Sequence, residues 1–272
     1  VGLHVVHRGG ADLDGDGLVD LAVTNYLNES TTFYRNFGKG LFVDQSEAIG
    51  ISAPTRQLLG FGISFFDADD DGRLDVLSAN GHVVDPRPKF PWMMPLQLLQ
   101  GNTKPGGRLR DVSSLAGNPF GPLHLGRGLA TGDLDNDGRL DALVVCQNEP
   151  MVYLHNQTEP DNSRHLLGLR LEGTKSNRDG IGVLVTVHAG KGRWVAPRFG
   201  GGSYQSAEDL TLHIGLGAEA RADRIEVAWP SGRVDVHEGL TADRVYRLRE
   251  GDREAKEIRS FPLPLPRTRP ES

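Results

Sequence analysis

Three short segments of the sequence place aspartates at alternate positions around a glycine. Each has Asp at its positions 1, 3, 5 and 9 and Gly at position 6. On a tight loop this spacing turns alternate carboxylates toward one centre, and position 7 can add its carbonyl oxygen. Calcium takes about six to eight oxygens in flexible geometry, whereas magnesium retains several waters, so we predict up to three Ca2+ sites. The predicted ligands are Asp12, Asp14, Asp16, Leu18 and Asp20 in loop 1, Asp67, Asp69, Asp71, Arg73 and Asp75 in loop 2, and Asp133, Asp135, Asp137, Arg139 and Asp141 in loop 3.

Two other interpretations of these loops explain less. Asp-Gly segments also form plain polar turns, but three in register, each with four aspartates, would crowd like charges that repel one another without a cation. An EF-hand loop carries a bidentate Glu at position 12, where this chain has Val23, Ser78 and Val144. Short apolar segments flank the loops instead of long amphipathic helices, so we predict strand-loop-strand sites.

The segments around the loops repeat as well. A glycine-rich stretch precedes each loop, as in Arg8-Gly9-Gly10, and a short apolar strand follows it, as in Leu21-Ala22-Val23. Units of about 40–50 residues with several short strands are typical of β-propeller blades. We therefore predict an all-β chain in which residues 1–160 form about three blades of a partial β-propeller. Because propellers close with about four to eight blades, we expect the chain to be an N-terminally truncated fragment.

The acidity of the chain is concentrated in these loops. Of 36 Asp and Glu residues, 13 lie in the three segments, so the remainder is mildly basic against 30 Lys and Arg. Such local acidity favours cation sites, and without a basic, aromatic-rich run we predict no nucleic-acid partner. No apolar run reaches the about 18 residues that a transmembrane helix needs. The single cysteine, Cys146, lies in an apolar run and is predicted to be a buried thiol.

A different pattern begins after residue 160. Residues 161–250 contain short alternating runs, such as residues 183–187 and 225–229, separated by turn residues. This pattern predicts a small β-sandwich-like domain. Residues 251–272 end in a proline-rich stretch and are predicted to form a disordered tail.

Several further residues could carry chemistry but also have a structural explanation. His82 in a predicted turn and His213 in a predicted strand are predicted to be structural. Asn177-Arg178-Asp179 could form a ligand site, but they more simply set a turn through local hydrogen bonds. The insertion Trp92-Met93-Met94 stands on a proline-rich loop, where it could form a recognition surface or cover the core of its own blade.

These motifs resemble known families. The loops are similar to the calcium loop of the integrin-type FG-GAP repeat and its VCBS relatives. Ser176-Asn-Arg-Asp-Gly-Ile-Gly182, His213-Ile-Gly-Leu-Gly217 and Trp229-Pro-Ser-Gly232 resemble the ASPIC/UnbV domain, which follows such repeats in the cartilage acidic protein family and its bacterial relatives. The resemblance implies a bacterial member that is secreted or surface-exposed, binds calcium and has an adhesion-like role.

We therefore predict a calcium-binding extracellular interaction, adhesion or scaffold protein with structural Ca2+, located outside the cell, in the periplasm or at the cell surface. Its expected partner is a protein or a glycan. The alternative is a secreted carbohydrate-active enzyme or carbohydrate-binding module that uses the propeller face, by analogy with other propellers. The sequence has no nucleophile elbow, phosphate-binding loop or zinc-protease motif, so we predict no catalytic residue and no enzyme.

Overall fold

The computed structural model describes residues 7–101, 107–158 and 163–261. Within this part the chain is almost entirely β-structure. Its only α-helices there are the single turns α1 (Ser46–Ile49) and α2 (Ser52–Thr55), and two 3-10 turns lie at Ser113–Leu115 and Asn118–Phe120. Five of the six described sheets are fully antiparallel. The prediction of an all-β fold is confirmed.

Three sheets carry the three loops, and we call them blades 1, 2 and 3. Blade 1 contains β1 (His7–Ala11), β2 (Asp20–Thr24), β3 (Thr32–Asn36) and β4 (Phe42–Asp44). Blade 2 contains β5 (Gly60–Phe66), β6 (Asp75–Asn80), β8 (Gln97–Gln100) and β9 (Arg110–Asp111), while β7 (Met94–Pro95) pairs with β10 (Leu123–His124). Blade 3 contains β11 (Gly126–Gly132), β12 (Asp141–Cys146) and β13 (Val152–Leu154). Each blade is an antiparallel meander in chain order, which is the arrangement of a propeller blade.

The first strands of the three blades lie side by side, and glycines make this possible. A Cβ on Gly9 of β1 would stand 2.8 Å from the ring of Phe65 on β5. A Cβ on Gly62 of β5 would stand 2.7 Å from the Cβ of Leu129 on β11. Glycine in a strand interior often marks such a close approach of another backbone. The glycine-rich stretches before the loops therefore belong to the inner strands of the blades.

Apolar side chains fill the spaces between neighbouring blades. One cluster, which includes Phe33, Ile63 and Leu99, joins blades 1 and 2. A second cluster, which includes Leu129 and Cys146, joins blades 2 and 3. Each fully buried large side chain contributes about 1.5–3 kcal/mol, so the blades are held together by face-to-face packing. Cys146 is buried, as predicted.

Two four-stranded sheets form the second domain. The first has the order β17-β14-β20-β21 and includes a parallel pair, β14 with β20; the second has the order β16-β15-β18-β19. Their facing sides enclose one apolar core that includes Leu169, Val185 and Ile225. The sandwich-like prediction is confirmed. The strands are β14 (His165–Glu172), β15 (Leu184–Ala189), β16 (Gly192–Pro197), β17 (Thr211–Gly217), β18 (Arg221–Ala228), β19 (Val234–Thr241), β20 (Arg244–Arg249) and β21 (Lys256–Ser260).

The predicted tail of residues 251–272 starts too early. Lys256–Ser260 form β21, which pairs with β20, and Phe261 is buried. The sequence hid this strand because it is an edge strand of mainly exposed, partly charged residues, without an apolar alternation. The proline-rich residues 262–272 and the predicted boundary near residue 160 lie outside the described residues.

The second domain packs directly onto the inner strands of blades 2 and 3. The backbone N–H of Ile63 donates to Ser203 Oγ at 3.0 Å. The Ser64 hydroxyl donates to Glu208 at 2.6 Å, and the backbone N–H of Asp209 donates to the carbonyl of Thr131 at 3.2 Å. Residues 203–209 therefore contact the inner strands β5 and β11, which the sequence pattern alone did not predict.

In the Trp92-Met93-Met94 insertion of blade 2, one residue covers the core of the blade and another remains partly exposed. Met94 is buried beside Leu59 and Phe61, so it covers the core of its own blade. Trp92 is only partly buried and stacks against the Arg87 guanidinium, 4.9 Å from its ring centroid. A recognition role for Trp92 stays a prediction.

Candidate metal centres

Each Asp-rich loop connects the first strand of a blade to its second strand. Loop 1 (residues 12–20) joins β1 to β2, loop 2 (67–75) joins β5 to β6, and loop 3 (133–141) joins β11 to β12. The glycine at position 6 has φ of +89° in Gly17, +84° in Gly72 and +97° in Gly138. These left-handed angles favour glycine, because a Cβ is strained there. The local sequence thus fixes the turn that brings the carboxylates together.

Position 4 also adopts a left-handed backbone conformation, which the spacing of the aspartates does not reveal. Gly15, Asp70 and Asn136 occupy it, with φ of +74°, +57° and +65°. Gly, Asn and Asp are the residues that tolerate this region best. The presence of only Gly, Asp and Asn at position 4 thus indicates a left-handed backbone conformation there from the sequence alone.

The loops gather carboxylates in three clusters. In each, one oxygen from every member lies within 4.8 Å of the others. Position 1 and position 3 belong to all three clusters, so these two predicted ligands are brought together everywhere. Position 5 joins them in loops 2 and 3, and position 9 joins them in loop 1. The clusters are Asp12, Asp14 and Asp20; Asp67, Asp69 and Asp71; and Asp133, Asp135 and Asp137.

Two of the three position 1 aspartates have a buried carboxylate oxygen without a hydrogen-bond partner among the described residues, whereas both oxygens of Asp67 accept backbone N–H groups. Asp12 is 8% exposed, and its Oδ2 accepts the N–H of Gly17 at 2.9 Å, but its buried Oδ1 has no hydrogen-bond partner in the part of the chain that the structure describes. The buried Oδ1 of Asp133 also lacks one. A buried, unpaired carboxylate oxygen is costly. Both atoms fit a site that is completed by a cation.

The electrostatics of position 1 point the same way. Burial, reinforced by the neighbouring carboxylates Asp16 and Asp14, raises the pKa of Asp12 to about 6, although the N–H of Gly17 opposes the shift. Burial also raises the pKa of Asp67 well above its ordinary value, and the charges of Asp70 and Asp71 add to it. These carboxylates are poorly neutralised by the protein itself. A bound cation would reverse that imbalance.

Position 9 has a structural task in every loop. Asp75 Oδ1 accepts the N–H of Gly101 at 2.7 Å, and its Oδ2 accepts the N–H of Ala68 at 3.0 Å. The carboxylate therefore ties the loop to the end of the third strand of its blade. Asp20 does the same with the N–H groups of Asn36 and Leu13, and Asp141 with those of Asn156 and Leu134.

An asparagine at or just after the end of the third strand strengthens this connection in blades 1 and 3. Asn36 Nδ2 donates to the carbonyl of Val19 at 3.0 Å, and Asn156 Nδ2 donates to that of Leu140 at 3.2 Å. Both carbonyls belong to position 8 of their loops. These two asparagines thus hold loops 1 and 3 in place from the strand side. The corresponding residue of blade 2, Asn102, lies outside the described residues.

Positions 5 and 7 form a local turn. The carboxylates of Asp16, Asp71 and Asp137 each accept the backbone N–H of the residue two positions later, at 2.9 Å. Those donors are the predicted position 7 residues Leu18, Arg73 and Arg139. Asp16 lies outside the cluster of its own loop. The ligand role predicted for the position 7 carbonyls stays a prediction.

Arginines neutralise part of each loop, and the sequence analysis missed them. Arg35 pairs with Asp14 at 2.6 Å and with Asp16 at 3.0 Å. Arg164 pairs with Asp69 at 2.8 Å, and Arg259 approaches Asp133 at 3.4 Å. Arg164 and Arg259 belong to the later part of the chain, so their distance along the sequence hid these contacts.

The second domain lies against all three loops. Trp194 Nε1 donates to the carbonyl of Gly72 at 2.8 Å. A Cβ on Gly17 would collide with the Arg193 guanidinium, and one on Gly138 would stand 3.1 Å from the ring of Phe261. The candidate metal centres therefore lie at the junction between the blades and the second domain rather than on a free surface.

Comparison with known proteins supports this division of the chain. Residues 12–78 match the model of the FG-GAP-like repeat, and this match contains loops 1 and 2. Residues 173–255 match the model named ASPIC and UnbV. Cartilage acidic protein 1 of Xenopus tropicalis is 23% identical over 268 residues, an alignment that covers 76% of this chain and 39% of that protein. Across the described residues, no helix is long and apolar enough to cross a membrane.

Proposed function

Because this chain combines FG-GAP-like repeats with an ASPIC and UnbV domain, we propose that it is a calcium-binding extracellular protein of the adhesion or scaffold type. Structural calcium ions would be held in loops 1, 2 and 3, and the partner would be a protein or a glycan. The predictions of a bacterial source and of a truncated start stay predictions.

The observation that carries this proposal is the set of three carboxylate clusters at the same place in three successive blades. Within residues 7–101, 107–158 and 163–261, buried oxygens of Asp12 and Asp133 lack a hydrogen-bond partner, and an all-oxygen donor set suits a hard cation. Calcium, when bound, would supply the positive charge that the clusters lack. The chain's own part is to hold positions 1 and 3 together through the turn and the position 9 tie.

An extracellular location suits loops of this kind. Extracellular calcium modules typically have dissociation constants of about 0.1–1 mM, which only calcium-rich surroundings can saturate. Arg35, Arg164 and Arg259 compete for the same carboxylates, so they favour weak binding. The similarity to cartilage acidic protein 1 supports the same location.

The proposed role is not catalytic. The loop carboxylates are tied to backbone N–H groups and lie beneath the second domain, an arrangement that favours rigidity. A turnover screen on acidic glycans tests this part of the proposal, because measurable glycan cleavage by the pure protein would contradict it.

Thermal unfolding of the whole chain tests calcium binding. At a calcium concentration about a hundredfold above the dissociation constant, one filled site stabilises the fold by about 2.7 kcal/mol. We expect calcium to raise Tm by on the order of 5–10 °C over a chelator, and magnesium to raise it less. Asp67→Asn should reduce the gain, whereas Asp85→Asn, at an exposed ion pair with Arg87 outside the loops, should leave it unchanged. An identical Tm in calcium and in chelator would overturn the proposal.

A further inference from the structure

The turn that joins β3 to β4 in blade 1 presents a compact group of exposed apolar side chains, and we call residues 37–41 the hairpin tip. Phe37 is 51% exposed and Leu41 is 58% exposed, and they stand at the two ends of this turn. The N–H of Phe37 donates to the carbonyl of Leu41 at 2.9 Å, and the N–H of Leu41 donates to that of Gly38 at 3.0 Å. Two main-chain bonds thus hold both apolar residues next to each other.

Loop 1 adds a third apolar residue to the hairpin tip, and the tip itself carries a lysine. Leu18, at position 7 of loop 1, is 37% exposed, and a Cβ on Gly38 would lie 3.9 Å from its Cδ1. Lys39 is exposed between Gly38 and Gly40. A long basic side chain can keep its charged end in water while its stem lies along apolar groups. The hairpin tip therefore combines apolar surface with one positive charge.

The blade fold does not require apolar residues at these places. In the corresponding segment of blade 2, Thr103 stands in the place of Phe37, and Arg108 stands in the place of Leu41. Position 7 of the loop, which is Leu18 in blade 1, is arginine in the other two loops. The apolar character of the tip is therefore a property of blade 1 rather than of the repeat. An exposed apolar group of this kind marks a contact with a protein or a membrane.

The hairpin tip is tied to the candidate calcium ligands of loop 1. Asn36 connects the two, because its N–H donates to Asp20 Oδ1 at 2.8 Å while its own Oδ1 accepts the N–H of Gly38 at 2.8 Å. The Arg35 guanidinium lies 5.2 Å from the centroid of the Phe37 ring, and its ion pairs hold it at loop 1. A cation in loop 1 would therefore act on the tip through contacts that the chain already makes.

The size and charge of the hairpin tip favour a membrane surface over a protein partner. A buried aromatic side chain covers about 150–250 Å², so three partly exposed apolar side chains offer roughly 200–300 Å² together. A stable protein interface needs about 800 Å² from each partner, several times more than the tip supplies. Binding at a membrane instead scales with the apolar area inserted and with the attraction of basic residues to anionic lipids.

We propose that the hairpin tip of blade 1 docks on an anionic phospholipid surface, with its three apolar side chains inserted among the lipids and Lys39 at the headgroups. The inference rests on the proposed calcium sites, because the carboxylates of loop 1 repel lipid phosphates when no cation neutralises them. With calcium bound, loop 1 no longer opposes the headgroups. Docking therefore requires both calcium and an anionic lipid.

Co-sedimentation of the whole chain with lipid vesicles tests the proposal, in about 1 mM calcium and in chelator. We expect binding to phosphatidylglycerol vesicles in calcium, and binding at least about tenfold weaker in chelator or to pure phosphatidylcholine vesicles. No binding to the anionic vesicles in calcium overturns the proposal, and so does equal binding to both lipids or in chelator. A chain whose Tm rises in calcium but which stays free of the vesicles keeps the proposed calcium function and loses this inference.

Variants of the hairpin tip locate the contact. The double variant Phe37→Ser and Leu41→Ser should lose more than about tenfold in vesicle affinity, and Lys39→Gln should lose about fivefold. Val83→Ser with Val84→Ser, at an exposed apolar pair outside the tip, is the matched control and should bind like the unaltered chain. Because all these side chains are exposed, Tm should change little in either double variant. Unchanged vesicle binding by the tip double variant would refute the contact.

A second copy of the chain is the other occupant that the same variants distinguish. Analytical ultracentrifugation in calcium should give the same molecular mass for the unaltered chain and for the tip double variant. Self-association that the double variant abolishes, without vesicle binding by the unaltered chain, would assign the tip to a second copy and overturn the membrane proposal.

Discussion

Asp12 of the blades and Glu250 of the second domain are buried carboxylates whose pKa values shift in opposite directions. In the second domain, Glu250 is 3% exposed and accepts the backbone N–H groups of Thr174, Lys175 and Ser176, together with the hydroxyls of Ser176 and Ser231. These donors overcome the effect of burial and hold the pKa of Glu250 far below its ordinary value. In the blades, burial dominates at Asp12 and raises its pKa to about 6. The five donors around Glu250 mark it as a structural carboxylate, whereas the unpaired oxygen of Asp12 fits a metal ligand.

The apolar cores of the two regions differ in size and continuity. The second domain has a main core of fifteen buried side chains between its two sheets, beside a small cluster of Leu166, Val245 and Phe261. The blades have separate, smaller clusters between successive sheets. Stability in the second domain therefore comes mainly from apolar burial. The blades depend more on the polar ties at their loops, and we expect their stability to respond to calcium.

The largest expected effect is a loss of stability on truncating a core residue of the second domain, and this loss should not depend on calcium. Ile225→Ala removes a fully buried side chain and should lower the free energy of unfolding by about 2–5 kcal/mol. Because Ile225 belongs to the core of the second domain and to none of the three carboxylate clusters, the loss should be equal in calcium and in chelator. Denaturant unfolding under both conditions measures this. A loss that calcium restores would contradict the separation.

A slightly smaller effect distinguishes Asp75, which connects loop 2 to the third strand, from Asp69, a candidate metal ligand in the same loop. Asp75→Ala leaves the N–H groups of Gly101 and Ala68 without their acceptor, which should cost about 2–3 kcal/mol with or without calcium. Asp69→Ala removes a cluster member whose main protein partner is Arg164. It should therefore matter chiefly when calcium is present. Paired melting curves of the two variants check this, and equal calcium dependence would argue against the assignment.

A weaker effect tests whether the regions communicate. Trp194→Phe keeps the ring but loses the hydrogen bond to the Gly72 carbonyl, a loss of about 0.5–1.5 kcal/mol. We also expect weaker calcium binding, because the same bond holds position 6 of loop 2. Trp229→Phe, which loses a bond to Asp235 inside the second domain, is the control. Calcium titration should separate the two variants, and identical affinities would count against coupling.

The last prediction concerns acid stability. Because the folded-state pKa of Glu250 lies below its ordinary value of 4.5, its contribution is fully present above that pH. The contribution is lost as the pH falls below 4.5, where the unfolded chain binds the extra proton. Glu250→Gln should lower Tm near neutral pH and flatten the decline in Tm on acidification. Melting temperatures across the acid range measure this, and an equally steep decline in the variant would exclude Glu250 as its source.

Much of the fold was predictable because its signals are local. The loop pattern contains Gly72 and Gly138 at position 6, where the positive φ depends on only a few neighbouring residues. The alternation around residues 225–229 marks a strand of the sandwich. In contrast, the exposed strand Lys256–Ser260 carries no alternation and was mistaken for a tail. Local patterns reveal buried strands better than exposed edge strands.

The sequence by itself determined the three carboxylate loops, the blade repeat and the change to a second domain, because each depends on residues that are close along the chain. Only the tertiary structure decided that the second domain covers the loops, through contacts such as Trp194 to Gly72, 122 residues apart. It alone placed Arg164 beside Asp69, and it enclosed Arg198 and His213 in one cavity. Such pairings depend on how sheets pack, which residue spacing does not encode.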